Sequence, residues 1–350
     1  MTGEGHTEKG MKNKTIAVVV THNRKELLRQ CIDRLLRQEH VSCDVIIVDN
    51  ASTDGTQEMV LHQYNVPEVI YVNTGENLGG AGGFQYGVKK AVLLGYQYVW
   101  IMDDDTLPEK TALYELFKTD RELNGKWGFL SSAAYWTDGS ICRRNIPKRN
   151  IFMRVGEKEY HKKYFLVKMS SFVSLLVKAD VIKEVGLPIG EYFIWTDDYE
   201  YTGRISAKYP CYMVPSSRVV HAMKIHTRVN FATDDIARID RYRYFYRNDV
   251  HCYRQYGCAG WMYIILKDIY TLVNIVLNSK GGRLDKIKVL YRGFRDGLHF
   301  KPDIEMIGCE KILFRNHSHY FATAILNMRF DICLFFCLSE QVLFTPYHIY

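Results

Sequence analysis

"TIAVVVTHNRKELLRQCIDRLLRQ", residues 15–38, changes period at Thr21. Before it runs a β-branched apolar segment, the pattern of a strand covered on both faces. After it, Leu27, Leu28, Cys31, Leu35 and Leu36 recur at helical spacing. The switch repeats along the chain. "CDVIIVDN" (43–50) is a strand closed by the turn-rich "NASTDGT" (50–56) and a second helix. "EVIYVNT" (68–74) is a strand, and "NLGGAGGFQYGVKKAVLLGY" (77–96) is a glycine-rich loop running into a helix. "YQYVWIM" (96–102) is the fourth strand. This alternation predicts an α/β fold: a Rossmann-like, mostly parallel mixed sheet with helices on both faces. Ligands of such sheets bind at the carboxyl ends of the strands. Here those ends are Thr21-His22-Asn23, Asp49-Asn50, Asn73-Thr74 and Asp103-Asp104-Asp105, which make one polar edge.

After residue 110 the pattern loosens. Strands are expected within 127–136 and 165–182, with a basic connector, "RRNIPKRNIFMRVGEKEYHKK", between them. A helix is expected over 197–207 and a strand over 211–221. From about residue 234, helix-like segments rich in Tyr, Arg and Phe dominate. The expected organisation is a flexible leader (1–13), an α/β domain (14–232) and a helical C-terminal region (233–350).

The 350 residues are 47% hydrophobic and 24% charged, the balance of a globular protein and not a disordered one. A net charge of +7 favours anionic partners without choosing among phosphates, nucleic acid and acidic membranes. The positive charge is dispersed and no nucleic-acid recognition motif appears, which argues against a nucleic-acid role. Nine scattered cysteines without a CxxC pair, behind the polar opening "MTGEGHTEKGMKNK", predict reduced thiols in a cytoplasmic protein. The best candidate for a membrane span, Trp261 to Leu277, is short and carries Lys267 and Asp268 at its middle, so an amphipathic helix is expected there instead.

"YVWIMDDDTLP" (98–108) ends a buried strand on three mutually repelling carboxylates. On an extended strand Asp103 and Asp105 share a side roughly 6.5–7 Å apart, with Asp104 opposite. A Mg²⁺ or Mn²⁺ ion fits that gap and would join the acids to a diphosphate. The alternative is a solvated turn with Asp105 capping the next helix. In "FIWTDDYEYTGRI" (193–205), Asp197 and Glu200 have capping-box spacing, which would free Asp198 at the first helical position as a general base. The competing account is a helix cap with solvated acids. His221 ends a strand-like stretch and can complete a carboxylate metal site, although a lone histidine is more often a packed residue. The glycines at 79, 80, 82 and 83 allow close backbone approach to a ligand but do not spell GxGxxG, and "THNRKE" after the first strand lacks glycine, which argues against a dinucleotide enzyme.

In order, "THNR", "VDNASTDGT", "NLGGAGGF", "MDDD", "WTDDYE" and a strand-end histidine resemble the family 2 glycosyltransferases of the GT-A fold, over roughly residues 15–225. "NLGGAGGF" with "WIMDDDTLP" is most similar to bacterial galactofuranosyltransferases and less so to rhamnosyltransferases. The resemblance implies an inverting enzyme that uses UDP-galactofuranose with Mn²⁺ or Mg²⁺ and acts on a glycan or polyprenyl-diphosphate-linked acceptor in cell-surface polysaccharide synthesis. It assigns Thr21, Arg24 and Asn50 to the nucleotide, with Asp49 supporting that strand end. Asn77, Gly79 and Gly80 would meet the donor, while Asp103 would reach the ribose or metal and Asp104 would also bind the nucleotide sugar. Asp105 and His221 would bind the metal, Asp198 (alternatively Asp197) would be the base, and Trp195 would shape the sugar pocket. Asn50 departs from the Asp common at that position in the wider family.

"RYRYFYRNDV" (241–250) resembles a segment that follows the catalytic domain in related enzymes. Arg243 and Arg247 share a helical face and could meet a lipid-linked diphosphate, or could be solvated beside an aromatic packing stripe. The aromatic, basic tail could equally lie on the inner face of the cell membrane, pack as core, or join a homo-oligomer. Two alternatives to a galactofuranosyltransferase stand beside it: a dTDP-rhamnose-dependent enzyme, and a non-catalytic nucleotide-sugar-binding or membrane-scaffold protein.

Overall fold

Strand β1 (Thr15–Thr21) is buried along its whole length. Ile16, Val18 and Val20 face one apolar layer and Ala17 and Val19 the other, so the chain's first strand lies at the centre of the sheet. Each of the Ile and Val side chains contributes roughly 1.5–3 kcal/mol by leaving water, which explains an apolar run with no polar alternation. The computed structural model describes residues 14–223 and 230–308; the leader 1–13, residues 224–229 and the C-terminal stretch 309–350 lie outside the described residues.

Strands β2 (Asp44–Asp49), β3 (Val69–Asn73) and β4 (Tyr98–Asp103) run parallel to β1 in the order β3-β2-β1-β4. Helices α1 (Lys25–Leu36), α2 (Thr56–Gln63) and α3 (Gly79–Leu93) connect them. Register aligns Thr21 with Asp49, Asp49 with Asn73, and Val20 with Asp103, so the four polar strand ends form one edge as the sequence indicates. Beyond β4 follow β5 (Thr106–Pro108), α4 (Ala112–Glu122), β6 (Phe129–Tyr135), β7 (Phe165–Leu166), β8 (Leu175–Lys178), α5 (Ala179–Val185), α6 (Asp197–Lys208) and β9 (Tyr212–His221). The order continues β4-β8-β6-β9-β5, with β7 also on β9, and β8 is antiparallel to both β4 and β6. The sheet is therefore mixed, and the fold is GT-A-like with a helical C-terminal region.

Several local expectations shift. The glycine-rich stretch is not a loop before a helix: α3 begins at Gly79. Two of its glycines are packing devices: a Cβ on Gly83 would stand 2.5 Å from a Val20 methyl, and one on Gly87 would strike Val18. The stretch 165–182 divides into two short strands and the start of α5, not a run of strand.

Helices α7 (Tyr242–Arg254), α8 (Gly257–Asn278) and α9 (Arg283–His299) pack on one another, with Tyr242, Tyr246, Ile275, Val289 and Leu290 at their centre. Gly293 and Gly297, one turn apart on α9, let its backbone lie against α7: a Cβ on Gly297 would be 2.6 Å from Val250 Cβ and 2.8 Å from the Arg247 carbonyl oxygen. Neither neighbour is a flexible side-chain end. Gly297→Ala is therefore expected to destabilise the protein by about 1–3 kcal/mol, read as a lower melting temperature, despite alanine's better helix propensity.

Candidate active site

The triplet Asp103-Asp104-Asp105 does not continue as a strand. The chain turns at Asp104 and Asp105 and returns as β5, antiparallel to β9, with Thr106 opposite His221. Asp105 O accepts from Ala222 N (2.8 Å), which fixes the end of β9 beside the turn. The extended-strand spacing is thereby replaced by a tighter one. Ligand atoms of Asp103, Asp105 and His221 lie within 4.8 Å of one another, a set that can hold a metal ion.

The remaining carboxylate charge meets a cation and a hydroxyl. Thr21 Oγ1 donates to Asp104 Oδ2 (2.7 Å). Arg24 Nη1 reaches Asp104 Oδ1 (3.2 Å) and Asp105 Oδ2 (2.8 Å) while its side chain stays 51% exposed. Asp105 is thus neither a solvated turn residue nor the cap of α4, whose N-cap is Thr111.

The donor set fits a divalent ion. Asp105 Oδ1 is buried 3.0 Å from His221 Nε2 yet lacks the alignment of a hydrogen bond. Asn145 Oδ1 lies 2.9 Å from His221 Nδ1, and Asn145 spends its own amide N–H on Ser171 Oγ (2.8 Å). His221 therefore donates from Nδ1 and turns Nε2 toward the carboxylates, the orientation an imidazole ligand needs. Without a metal, burial opposes a charge on His221, but Asp105 and Asp103 outweigh it and raise its pKa to about 10. Burial, with Asp105, raises Asp103 to about 7. Burial also pushes Asp105 upward, but His221 and Arg24 override it and hold its pKa below the ordinary carboxylate value. One cation facing these groups relieves the competition.

The second acidic cluster begins α6, and here the cap differs from the expectation. Thr196 is the N-cap, in the left-handed region (φ 69°), and Asp197 and Asp198 are the first and second helical residues. Glu200 closes no capping box; it binds Arg204 through two 2.9 Å bonds. Asp197 is buried and Asp198 half-buried. Burial and neighbouring Asp198 drive the Asp197 pKa well above its ordinary value. For Asp198, burial raises the pKa, a 2.7 Å bond from Tyr199 N–H lowers it, Asp103 raises it and Lys148 lowers it, leaving it at about 7. Asp103 acts on both residues, so the two acidic clusters share one electrostatic site.

The other candidates are tied into the same edge. Asp49 is fully buried, accepting from Tyr71 Oη (2.6 Å) and Ser52 N (2.8 Å). Asn50 Nδ2 donates to Gly79 O (2.9 Å), and Gly79 N donates to Asn77 Oδ1 (2.9 Å). Gly79 lies against Phe193, whereas Gly80 has open space where a Cβ would be. Trp195 is half-buried against Tyr242 and Phe245. Arg243 pairs with Asp296 (2.5 Å), and Arg247 donates to the carbonyls of Glu191 (2.6 Å) and Tyr192 (3.3 Å), so Arg247 is turned into the protein. Two site residues carry no local sequence signal. Asn145, which orients His221, and Lys148, buried among Tyr199, Tyr253 and Tyr263, both lie in the irregular basic connector.

Residues 16–125 match the model of Glycosyl transferase family 2. That match covers less than half of the chain. Among curated proteins it is similar to galactofuranosyltransferase GlfT1 of Mycolicibacterium smegmatis, 29% identical over 203 residues covering 54% of this chain and 64% of that one. It is also similar to GlfT1 of Mycobacterium tuberculosis, 37% identical over 98 residues covering 27% of this chain and 31% of that protein. It thus spans less than two thirds of the length of these relatives. Among solved structures, TarS 1–349 of S. aureus, crystallised with UDP, has a TM-score of 0.51 at 14% identity, covering 83% of this chain and 72% of that one, a likeness of fold.

Titration calorimetry with Mn²⁺ tests the cation site. Asp105→Ala is expected to abolish binding, and Asn145→Ala to weaken it about 10–100-fold by freeing the imidazole.

Proposed function

We propose that this protein is a metal-dependent inverting glycosyltransferase that moves galactofuranose from UDP-galactofuranose to a hydroxyl of a glycan, carried on a polyprenyl diphosphate, in cell-surface polysaccharide synthesis. One observation carries the proposal: beside three side chains that could hold a cation stands a carboxylate, Asp198, with a pKa of about 7. A base with that pKa is about half ionised at neutral pH and takes up a proton efficiently. The family 2 match, the GlfT1 similarity and the UDP-bound TarS fold support the donor class.

In this reading Asp198 accepts the proton of the acceptor hydroxyl. The hydroxyl oxygen bonds to the anomeric carbon from the face opposite the diphosphate, and the bond from that carbon to the phosphate oxygen breaks, its electron pair leaving with UDP. Asp103, Asp105 and His221 would hold Mn²⁺ or Mg²⁺, which offsets the charge of the departing diphosphate. Arg24, Thr21 and Asn50 line the nucleotide's side of the edge, and Gly80 offers the donor an open backbone approach.

UDP release from UDP-galactofuranose is expected to require a divalent ion and to rise with pH through about 7, because the base must be deprotonated. Asp198→Asn should cut turnover about 10²–10⁴-fold while UDP still binds. Full activity in EDTA, or in Asp198→Asn, would overturn the reading, and faster turnover of dTDP-rhamnose would move the donor assignment.

The reading also places the protein in the cytoplasm, peripheral on the inner face of the cell membrane. The described cysteines are free thiols, in keeping with a reducing compartment. Helix α8 is long and apolar enough to cross a membrane, with a mean hydropathy of 1.3. Lys267 at its middle pairs with Asp249 of α7, so one side is held by the protein. The opposite side exposes Met262, Ile265, Leu266, Ile269, Val273 and Val276, and exposed Lys280, Arg283 and Arg292 follow it in the chain. An apolar stripe followed by cations suits a surface of anionic lipid. Ile269→Glu with Leu266→Glu should weaken sedimentation with phosphatidylglycerol vesicles at least about tenfold. A concentration-dependent dimer that the same substitutions dissolve would assign the face to a second copy instead.

A further inference from the structure

The acidic end of α6 is reached through a strained segment. Phe193, Trp195 and Thr196 all have positive φ (63°, 67° and 69°), although none is glycine. Such backbone persists only where its surroundings over-determine it. The residues that do so are contiguous on α7. Asn248 is fully buried, and its amide nitrogen lies 2.9 Å from Tyr192 O, 3.0 Å from Ile194 O and 2.9 Å from Trp195 O. Arg247 Nη2 donates to Glu191 O and also to Asn248 Oδ1 (2.9 Å), which holds that amide with its nitrogen toward the loop. Asp249 Oδ1 accepts from Thr196 Oγ1 (2.9 Å), and Lys267 of α8 occupies its other oxygen. Side chains of one distant helix thus claim carbonyls from the end of a short 3-10 turn (Gly190–Tyr192) through Trp195, immediately before Asp197 and Asp198.

We propose that Asn248 and Asp249 are positioning residues, which set where α6 begins and so aim Asp198 at the cation site. The proposal rests on the reading of Asp198 as the base. Neither residue need touch substrate. A packing role would be served by any apolar side chain of similar size; a buried amide set against the carbonyls of Tyr192, Ile194 and Trp195, with a carboxylate on the cap hydroxyl, fixes backbone direction instead. A small displacement of a reacting group is enough to cost about 10²-fold in rate.

The test pairs Thr196→Val, which removes the hydroxyl but keeps the shape, with Thr196→Ser, which retains the hydroxyl, alongside Asn248→Ala and Asp198→Asn. Amide hydrogen exchange over residues 191–200, UDP affinity in Mn²⁺, melting temperature and UDP release from UDP-galactofuranose are measured on the full chain. Thr196→Val and Asn248→Ala are expected to lower kcat about 10–100-fold and to speed exchange over 193–199, with UDP affinity unchanged; Thr196→Ser should behave as wild type. Should Asn248→Ala not fold, the Thr196 pair decides. Wild-type kcat and exchange in Thr196→Val, with Asp198→Asn inactive, would overturn the positioning role alone. Wild-type turnover in Asp198→Asn would overturn the base assignment, and the positioning role with it.

Discussion

Three carboxylates at the end of a buried strand impose the constraint around which the site is arranged. They cannot all be ionised in a protein environment without positive charge close by. Arg24 supplies it on one side, bridging Asp104 and Asp105 from the start of α1. On the other side Asp103 and Asp105 face His221, at a spacing that suits a divalent ion. The turn at 104–105 separates the two halves. Asp104 is committed to protein partners, and Asp103 and the Oδ1 of Asp105 are left to share what lies in the cleft.

The same electrostatics reach the second acidic cluster. Asp103 raises the pKa of Asp198, while Lys148, held within reach of three tyrosine rings, pulls it down. A carboxylate balanced in this way is sensitive to its position. That sensitivity gives a physical reason for the strained approach to α6 and for the buried side chains of α7 that hold it. The C-terminal helices are then more than an appendage: through Asn248 and Asp249 they complete the support of a site built mostly from the first 221 residues.

What was legible beforehand follows from how local each determinant is. Strands β1 to β4 and their shared polar edge declare themselves because burial on both faces leaves an uninterrupted apolar run. The candidate metal ligands Asp103, Asp105 and His221 stand out by residue type, but their spacing did not, because the turn at Asp104 is fixed by pairing between β5 and β9, more than a hundred residues apart. The cap of α6 was displaced by one residue for a similar reason. Asp197 has the better local capping pattern, whereas the helix start is set by Asn248 and Asp249 from another helix. Asn145 and Lys148 have no periodic context at all. The glycines of α3, read from sequence as room for a ligand, lie mostly against protein atoms of Val18, Val20, Leu78 and Phe193, and only Gly80 among them faces open space.

Anomalous diffraction from crystals soaked in Mn²⁺ and UDP examines the central claim at the level of atoms. The account predicts one manganese peak bounded by Asp103, Asp105 and His221, with Nε2 of the imidazole at ligand distance, roughly 2.0–2.3 Å, and the diphosphate completing the shell. A peak bound instead by Asp197 and Asp198, or UDP ordered at the strand ends with no metal beside the triplet, would contradict it.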